Sequence, residues 1–522
     1  MDHAWKNPME RPDPVSHVLV IGAGIGGMCT AARLKKAGHE VTVFESSDHV
    51  GGKCRTEWIG KYAFDTGPSL LTLPAVYRDF FQKTGKHLGQ VVHLDSVDPS
   101  FDYRFSDGTN VKFANLSRHK TLEAITDSYG SESANQWDRI MRRAERMWDV
   151  SREPFIESEL TSIFSLFKRP TVLRDLFIIS PWKSLRSLAE ELLPNRNLRY
   201  ILDRYATYSG SDPRSAPSVL ATIAFVEEAF GAWHIQGGIG SLSVAIHQRC
   251  VDLGVAFELN TPVSEINHDG KKVTGITLKD GRTLSSDIVV ANADASIVYD
   301  VLITGKVRKL RMTRSRLHRT TPSLAGFTLL LGLRPDADAP PLEHHTILFP
   351  ENYDQEFDSI FTEKKPVQDP TIYICAPKDV HMVKTEGGLS LSVLVNAPRH
   401  NPEGVDGWDW NNETFNREYA SKIIDLIEAR GIPIRNRLDV FEYRTPADLE
   451  RSVNAPGGSI YGTSSNGARA AFLRARNRSA LKGLYCVGGS AHPGGGLPLV
   501  GLSAEIVANA IGRTKNASPE MH

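Results

Sequence analysis

The sequence predicts an α/β fold: a Rossmann-type dinucleotide-binding domain interrupted by a discontinuous domain of mixed sheet and helices. Three observations predict it. Residues 18–45 read strand, glycine turn, helix, strand and acid. Residues 484–511 read strand, glycine loop and helix. At 522 residues the chain is too long for one simple core, so two intertwined domains are expected.

The opening stretch carries the strongest signal. Val18, Leu19, Val20 and Ile21 form a short uncharged run, as a strand buried on both faces does. Gly22, Gly24 and Gly27 supply the G-x-G-x-x-G spacing. The first permits the turn, the second lets backbone approach a pyrophosphate, and the third lets helix and strand pack closely. The helix carries Met28, Ala31, Ala32 and Leu34 and stops at Gly38. Its N-terminal N–H groups and dipole favour phosphate. The strand Val41–Phe44 then ends in Glu45, a carboxylate placed to accept hydrogen bonds from ribose hydroxyls. An acid there favours an unphosphorylated ribose, hence FAD or NAD rather than NADP.

Composition excludes several classes. Hydrophobic content of 41% and charged content of 23% describe a folded protein. A net charge of zero provides no field for nucleic acid, so no nucleic-acid partner is expected. The five cysteines, Cys29, Cys54, Cys250, Cys375 and Cys486, are scattered without a C-x-x-C pair. That argues against a disulfide framework and a zinc site, so no metal is expected, and it suits a reducing compartment. Residues 1–17 lack an apolar signal core, and no run reaches transmembrane length. A cytoplasmic protein is expected.

After Glu45, Gly51 and Gly52 let the chain pass close to something flat or bulky, and Lys53 and Arg55 follow where phosphates are expected. Asp65, Thr66, Gly67, Pro68 and Ser69 form a second tight turn. An acid ending the second strand, a Gly-Gly-basic turn and an Asp-x-Gly-Pro turn, in that order, resemble the FAD-binding opening of the flavin amine oxidase superfamily. Within it, the chain most resembles the bacterial-type phytoene desaturases, a family of carotenoid desaturases.

Further along, Phe101–Phe105 and Val111–Phe113 flank Ser106-Asp107-Gly108 as a hairpin, and residues 121–155 read as helical. Residues 161–189 set Ile163, Phe164, Leu166, Phe167, Leu176, Phe177 and Trp182 among Lys168, Arg169, Arg174, Lys183 and Arg186. An apolar face with a basic rim fits a segment lying in a bilayer surface, and equally a helix pair covering a core. Residues 198–230 read as two helices around the turn at Gly210–Pro217, and Trp233 and His234 precede a glycine turn at Gly237, Gly238 and Gly240. Strands follow at Ala256–Leu259 and Val263–Ile266, then a hairpin and the strand 287–292. Strands at Leu324–Leu333, Ile372–Ala376 and Leu389–Val395 and a helix at Glu413–Arg430 make up most of the second domain.

The chain closes with strand Leu484–Val487, the turn Gly488-Gly489-Ser490, the loop His492-Pro493-Gly494-Gly495-Gly496 and a helix over Leu499–Ile511. Glycines admit a flat ring against backbone, and a helix N-terminus stabilises negative charge on a reduced flavin. His-Pro-Gly-x-Gly before a proline and helix resembles the phytoene desaturase signature. Leu499 departs from it, because many relatives carry glycine there. The small pair Gly489-Ser490, where amine oxidases proper often have an acid, argues against a plain amine oxidase.

The resemblance implies an FAD-binding domain from segments 15–110, 233–300 and 479–515, a helical substrate or membrane-facing region at 111–232, and a substrate domain at 301–478. It implies cofactor contacts from Gly22, Ala23, Gly24, Ile25, Gly26 and Gly27, then Glu45, Gly51, Gly52, Lys53 and Arg55, then Gly67, Pro68 and Ser69. Val263 would touch the adenine through backbone, and Gly488, Gly489, Ser490, Leu499 and Val500 would face the ring. His492 is the candidate to relay a proton, with loop ordering as its plainer role. The implied function is FAD-dependent desaturation of a linear polyene by hydride transfer to flavin, with oxygen or a quinone as acceptor and peripheral contact with the inner face of the membrane. Alternatives are a related flavoprotein that saturates, isomerises or oxygenates a polyene or other lipid, or a non-redox prenyl-lipid-binding escort of the same fold.

Overall fold

A computed structural model describes residues 16–160, 171–467, 470 and 474–514. The basic and apolar positions Ile163, Phe164, Leu166, Phe167, Lys168 and Arg169, and residues 1–15, lie outside the described residues.

Five parallel strands form the first sheet, in the order Leu484–Cys486, Ile288–Ala291, His17–Ile21, Glu40–Phe44 and Ala256–Glu258. The central strand buries Val18, Leu19, Val20 and Ile21 completely or nearly so, as a strand covered on both faces must. Cys486, Ala291, Ile21, Phe44 and Glu258 lie in one row across the sheet. The loops that begin at Gly22, Glu45 and Gly488 leave the carboxyl ends of these strands just beyond that row, where open parallel sheets place their ligands.

The helices Ile25–Lys36 and Leu497–Ile511 pack on one face together with Gly240–Leu253, in a core that includes Met28, Leu242, Ile246 and Val507. On the other face an antiparallel three-stranded sheet, Val263–His268, Val273–Leu278 and Thr283–Ser285, packs through Ile266, Val273 and Ile276.

The second domain is a seven-stranded mixed sheet, ordered Leu438–Arg444, Ala325–Leu333, Leu389–Ala397, Ile372–Cys375, His345–Leu348, Phe101–Arg104 and Asn110–Phe113. The pair 345–348 with 101–104 is parallel and the others are antiparallel. The hairpin Phe101–Phe113 therefore belongs to this sheet, and a boundary at 110 divides it. The helical reading of 121–155 resolves into Arg118–Tyr129 and Ser131–Ser151, parted by Gly130 at φ +86°. The closing helix begins at Leu497, two residues before Leu499, because Pro498 suits the first turn of a helix.

Helix Val172–Ile179 has no buried residue. Leu173, Phe177 and Trp182 are 72%, 71% and 61% exposed, and the Phe177 and Trp182 rings meet edge to face at 5.8 Å. Among the described residues no helix is long and apolar enough to cross a membrane. All five cysteines are free and buried.

Candidate active site

The glycine turn after the first strand is framed by its neighbours. The Gly22 N–H donates to Phe44 O at 2.8 Å with φ +92°, a conformation that favours glycine. A Cβ on Gly27 would stand 2.2 Å from Gly22 O, so the third glycine is fixed by the turn folding onto its own helix. The helix Ile25–Lys36 has Gly24 as its N-cap, no side-chain cap and no acid in its first turn. Its first N–H groups are left for an external acceptor, the standard condition for anion binding at a helix end. The Gly51 N–H donates to Ala23 O at 2.9 Å, which lays the Gly51-Gly52 turn beside the first one.

Glu45 lies at the next strand end. Its Oε2 accepts from Ala23 N at 2.7 Å and its Oε1 from Ser47 N at 2.9 Å. Oε1 also accepts from Ser47 Oγ at 3.0 Å and Ser46 Oγ at 3.1 Å, and the carboxylate is thus held at the mouth of the glycine turn. The Glu45 carbonyl accepts from Thr261 N at 2.7 Å, which brings the start of the strand at Val263 alongside.

Lys53 and Arg55 are spent on protein partners. Lys53 Nζ donates to the carbonyls of Ser459 and Ile460 at 2.9 and 2.8 Å, and burial lowers its pKa to about 8 against the nearby Asp294 charge. Arg55 pairs with Glu57 at 3.1 Å. Neither matches the simple expectation of a cation aimed at phosphate, because both find closer acceptors within the chain.

The second turn fits tightly on the first. A Cβ on Gly67 would lie 1.7 Å from Lys53 O. Asp65 accepts from Thr56 Oγ1 at 2.6 Å and Ile239 N at 2.9 Å, and burial raises its pKa to about 6. It joins this turn to the Gly237–Gly240 turn. Pro68 continues the turn, and Ser69 Oγ meets Tyr373 Oη of the second sheet at 3.3 Å.

At the other end of the chain, Gly496 caps the helix Leu497–Ile511 with no side-chain cap and no acid in the first turn. The two uncapped helix ends meet: a Cβ on Gly26 would touch Val500 Cγ1 and Gly488 Cα, both at 3.2 Å. Gly489 lies opposite Gly495, its built Cβ 3.5 Å from that Cα, and Leu499 Cδ1 lies 3.5 Å from the corresponding point on Gly494. Ser490 Oγ accepts from Ala295 N at 2.9 Å. His492 is 2% exposed. Its Nε2 donates to Ser158 O at 2.9 Å, and burial lowers its pKa to about 4. The imidazole ties this loop to the backbone at Ser158.

Further residues complete the frame, Asn292 and Arg474 among them not singled out from the sequence. Asn292 follows the strand Ile288–Ala291, and its side chain stands within 2.9 Å of the Cβ positions of Gly24, Gly26 and Gly488. A polar residue directly after an all-apolar parallel strand was the available signal. Buried Arg474 donates to Gly489 O at 2.6 Å and Tyr461 O at 3.2 Å. His234 pairs with Asp379 at 2.9 Å. His344, His345 and Cys375 hold their ligand-type atoms within 4.8 Å of one another, an arrangement made by strand pairing rather than by spacing in sequence.

The site fits a flavin dinucleotide on its own geometry: two uncapped helix ends converge, a carboxylate stands at one of them, and glycines line both loops. Comparison with known proteins agrees. Residues 25–329 match the model of the flavin containing amine oxidoreductase family. The chain is 32% identical over 509 residues to a 1-hydroxycarotenoid 3,4-desaturase of Flavobacterium sp. (strain P99-3), covering 95% of this chain and 99% of that one. It is 28% identical to a 4,4'-diapolycopene oxygenase of Methylomonas sp, covering 95% and 97%. A solved oxidoreductase from Methanosarcina mazei superposes with a TM-score of 0.63 at 16% identity, covering 94% of this chain and 100% of that one, a likeness of fold alone.

Proposed function

Because the chain belongs to the flavin containing amine oxidoreductase family, we propose that it is an FAD-dependent desaturase of a linear carotenoid. The observation that carries this reading is the end-to-end similarity to a carotenoid desaturase, on a chain whose two glycine-framed helix ends converge.

Desaturation removes a hydride and a proton from adjacent carbons and leaves a new double bond; bound FAD supplies the hydride acceptor, which no side chain can. The protein's part is to hold, orient and exclude water. In this reading Gly22–Gly27 and the helix behind them take the pyrophosphate, Glu45 the ribose, and Gly488–Ser490 with Leu499 and Val500 the ring. The backbone near Val263 takes the adenine, and Gly51, Gly52 and Gly67–Ser69 close the opposite wall. Lys53, Arg55 and His492 act as positioning residues through the partners named above. Oxygen or a quinone takes the electrons onward.

The polyene enters from a membrane. Leu173 and Phe177 are presented to solvent on an apolar helix and Trp182 in the turn after it, with Arg174 and Lys183 beside them, the chemistry of a segment seated in a lipid surface. A peripheral position on the inner face follows. A second reading, oxygenation of a polyene, is favoured by the similarity to a diapolycopene oxygenase.

Anaerobic mixing of the flavin-loaded protein with polyene-bearing liposomes tests the reading. Flavin bleaching with a product lighter by two hydrogens is expected. A product gaining oxygen in air without prior bleaching replaces desaturation with oxygenation, and a protein that never retains flavin removes both.

A further inference from the structure

His345 opens the strand His345–Leu348 and stands directly opposite Cys375 in the antiparallel pair with Ile372–Cys375. Opposed residues of such a pair send their side chains to the same face, with Cβ atoms about 4.5–5.5 Å apart. His344 precedes the strand, and its carbonyl accepts from Ala376 N at 2.8 Å, which fixes the end of the pair. The two imidazole rings lie 4.5 Å apart between centres, inclined at 54°. Ligand-type atoms of His344, His345 and Cys375 all fall within 4.8 Å of one another.

Hydrogen bonding within this group is incomplete. His345 and Cys375 are buried. The Nε2 atoms of His344 and His345 are buried too, and neither has a hydrogen-bond partner among the described residues. A buried polar atom without a partner is costly, and here two stand on adjacent residues. The other ring nitrogen of His345, Nδ1, lies 2.9 Å from Tyr373 Oη, which lies 3.3 Å from Ser69 Oγ. With Nδ1–H donating to Tyr373 and the Tyr373 hydroxyl donating to Ser69, the Nε2 lone pair of His345 is left for a Lewis acid. A hydrogen-bond partner behind the far nitrogen is how proteins orient an imidazole that ligates a metal.

Burial holds both imidazoles neutral, pushing His344 down to about 3 and His345 well below its ordinary value, and the neutral ring is the form that ligates. Surrounding charges nearly balance. Asp379 and Asp65 favour a cation beside His344 and Cys375, while Lys378 and Arg204 oppose it. The His234 ring, 4.9 Å from that of His344, is itself paired with Asp379.

We propose that His344, His345 and Cys375 form a metal site for a soft or borderline cation, Zn(II) or Cu(I). Two imidazoles and a thiolate are a ligand set these ions favour. Cysteine spacing predicts no metal; strand pairing assembles this site instead. Around a tetrahedral zinc the ligand atoms stand about 3.3–3.6 Å apart, so the side chains draw in from 4.8 Å at most, a movement that side-chain rotation supplies. The Cys375 thiol gives up its proton to solvent as the metal–sulfur bond forms. A fourth position stays open to water. The bound ion clamps the two strands together and, through Tyr373, braces Ser69 in the second glycine turn. The assignment does not depend on the flavin or polyene readings.

In the test, the untagged full chain is stripped with a chelator and titrated with Co(II), a spectroscopic stand-in for Zn(II). A single ion per chain is expected, displaced by Zn(II), with a near-ultraviolet thiolate-to-cobalt charge-transfer band and the visible bands of tetrahedral cobalt. Competition against a Cu(I) chelator shows which of the two ions is held more tightly. Cys375→Ser is expected to remove the charge-transfer band. Tyr373→Phe, which alters only the positioning of His345, is expected to weaken binding by about 10- to 100-fold while keeping the band, and His344→Gln and His345→Gln to weaken it further. Melting temperatures of the metal-free variants check their fold. Where a variant does not fold, the wild type decides alone. Uptake without a thiolate band, or no uptake of either ion, overturns the site and leaves a water between the imidazoles. A band that survives Cys375→Ser also overturns it.

Discussion

Gly24 and Asn292 stand so close that a Cβ on the glycine would meet Asn292 Nδ2 at 2.7 Å and Asn292 Cγ at 3.8 Å, with no other atom within 4 Å beyond its chain neighbours. The glycine turn and the end of the strand Ile288–Ala291 are therefore fitted to each other through one side chain. This separates two reasons for having glycine at 24: space for Asn292, and space for a pyrophosphate.

A double-variant series distinguishes them. Gly24→Ala is expected to destabilise the protein by about 1–3 kcal/mol through overpacking and to lose flavin. Adding Asn292→Ala removes the clash and is expected to restore the melting temperature without restoring flavin content. If flavin returns together with stability, position 24 serves packing alone and the pyrophosphate assignment falls.

Glu45→Ala is expected to weaken FAD retention. The carboxylate holds Ala23 N and Ser47 N as well as facing the proposed ribose, and a charge-assisted hydrogen bond contributes about 1.5–3 kcal/mol. A rise in the FAD dissociation constant of roughly 10- to 100-fold follows. Titration of the apoprotein with FAD measures it; an unchanged constant sinks the ribose role.

His492 makes the fold sensitive to acid. Burial lowers its pKa from the ordinary 6.5 to about 4, against the Ser158 hydrogen bond. A group with a depressed folded pKa contributes stability that is present above pH 6.5 and lost as pH falls through about 4; the loss is on the order of 3 kcal/mol. His492→Gln is expected to flatten the fall in melting temperature between those pH values and to leave the pH profile of turnover unmoved at neutral pH. A turnover profile that loses a limb in this variant restores a proton-relay role.

Replacing Leu173, Phe177 and Trp182 with Ser is expected to release the protein from liposomes, because no core contact is lost with these exposed side chains. Co-sedimentation with vesicles measures it, with melting temperature as the control. Undiminished sedimentation removes this helix from the membrane reading.

What was legible in the sequence was whatever depends on local chemistry. The apolar run Val18–Ile21 and the glycine spacing after it are dictated by a strand buried on both faces and a turn of positive φ, and both appear as expected. Side-chain partners were not legible, because they are set by chain segments far apart. Lys53 turns to carbonyls more than 400 positions away. Arg204, at the end of the helix Arg196–Arg204, meets the rings of Phe101 and Tyr103 in a strand of the second sheet. That the hairpin 101–113 could belong to a sheet over the substrate site was legible, whereas its parallel pairing with strand His345–Leu348 was not, a long-range match that no periodicity announces.

The order of strands in the first sheet has a consequence for biosynthesis. Its innermost strand, His17–Ile21, is made more than 450 positions before one edge, Leu484–Cys486, and the helix Leu497–Ile511. The proposed dinucleotide site is therefore incomplete until synthesis has passed the helix Leu497–Ile511. Until then Ile288–Ala291 is an unprotected, wholly apolar edge, the kind of surface that pairs with other chains.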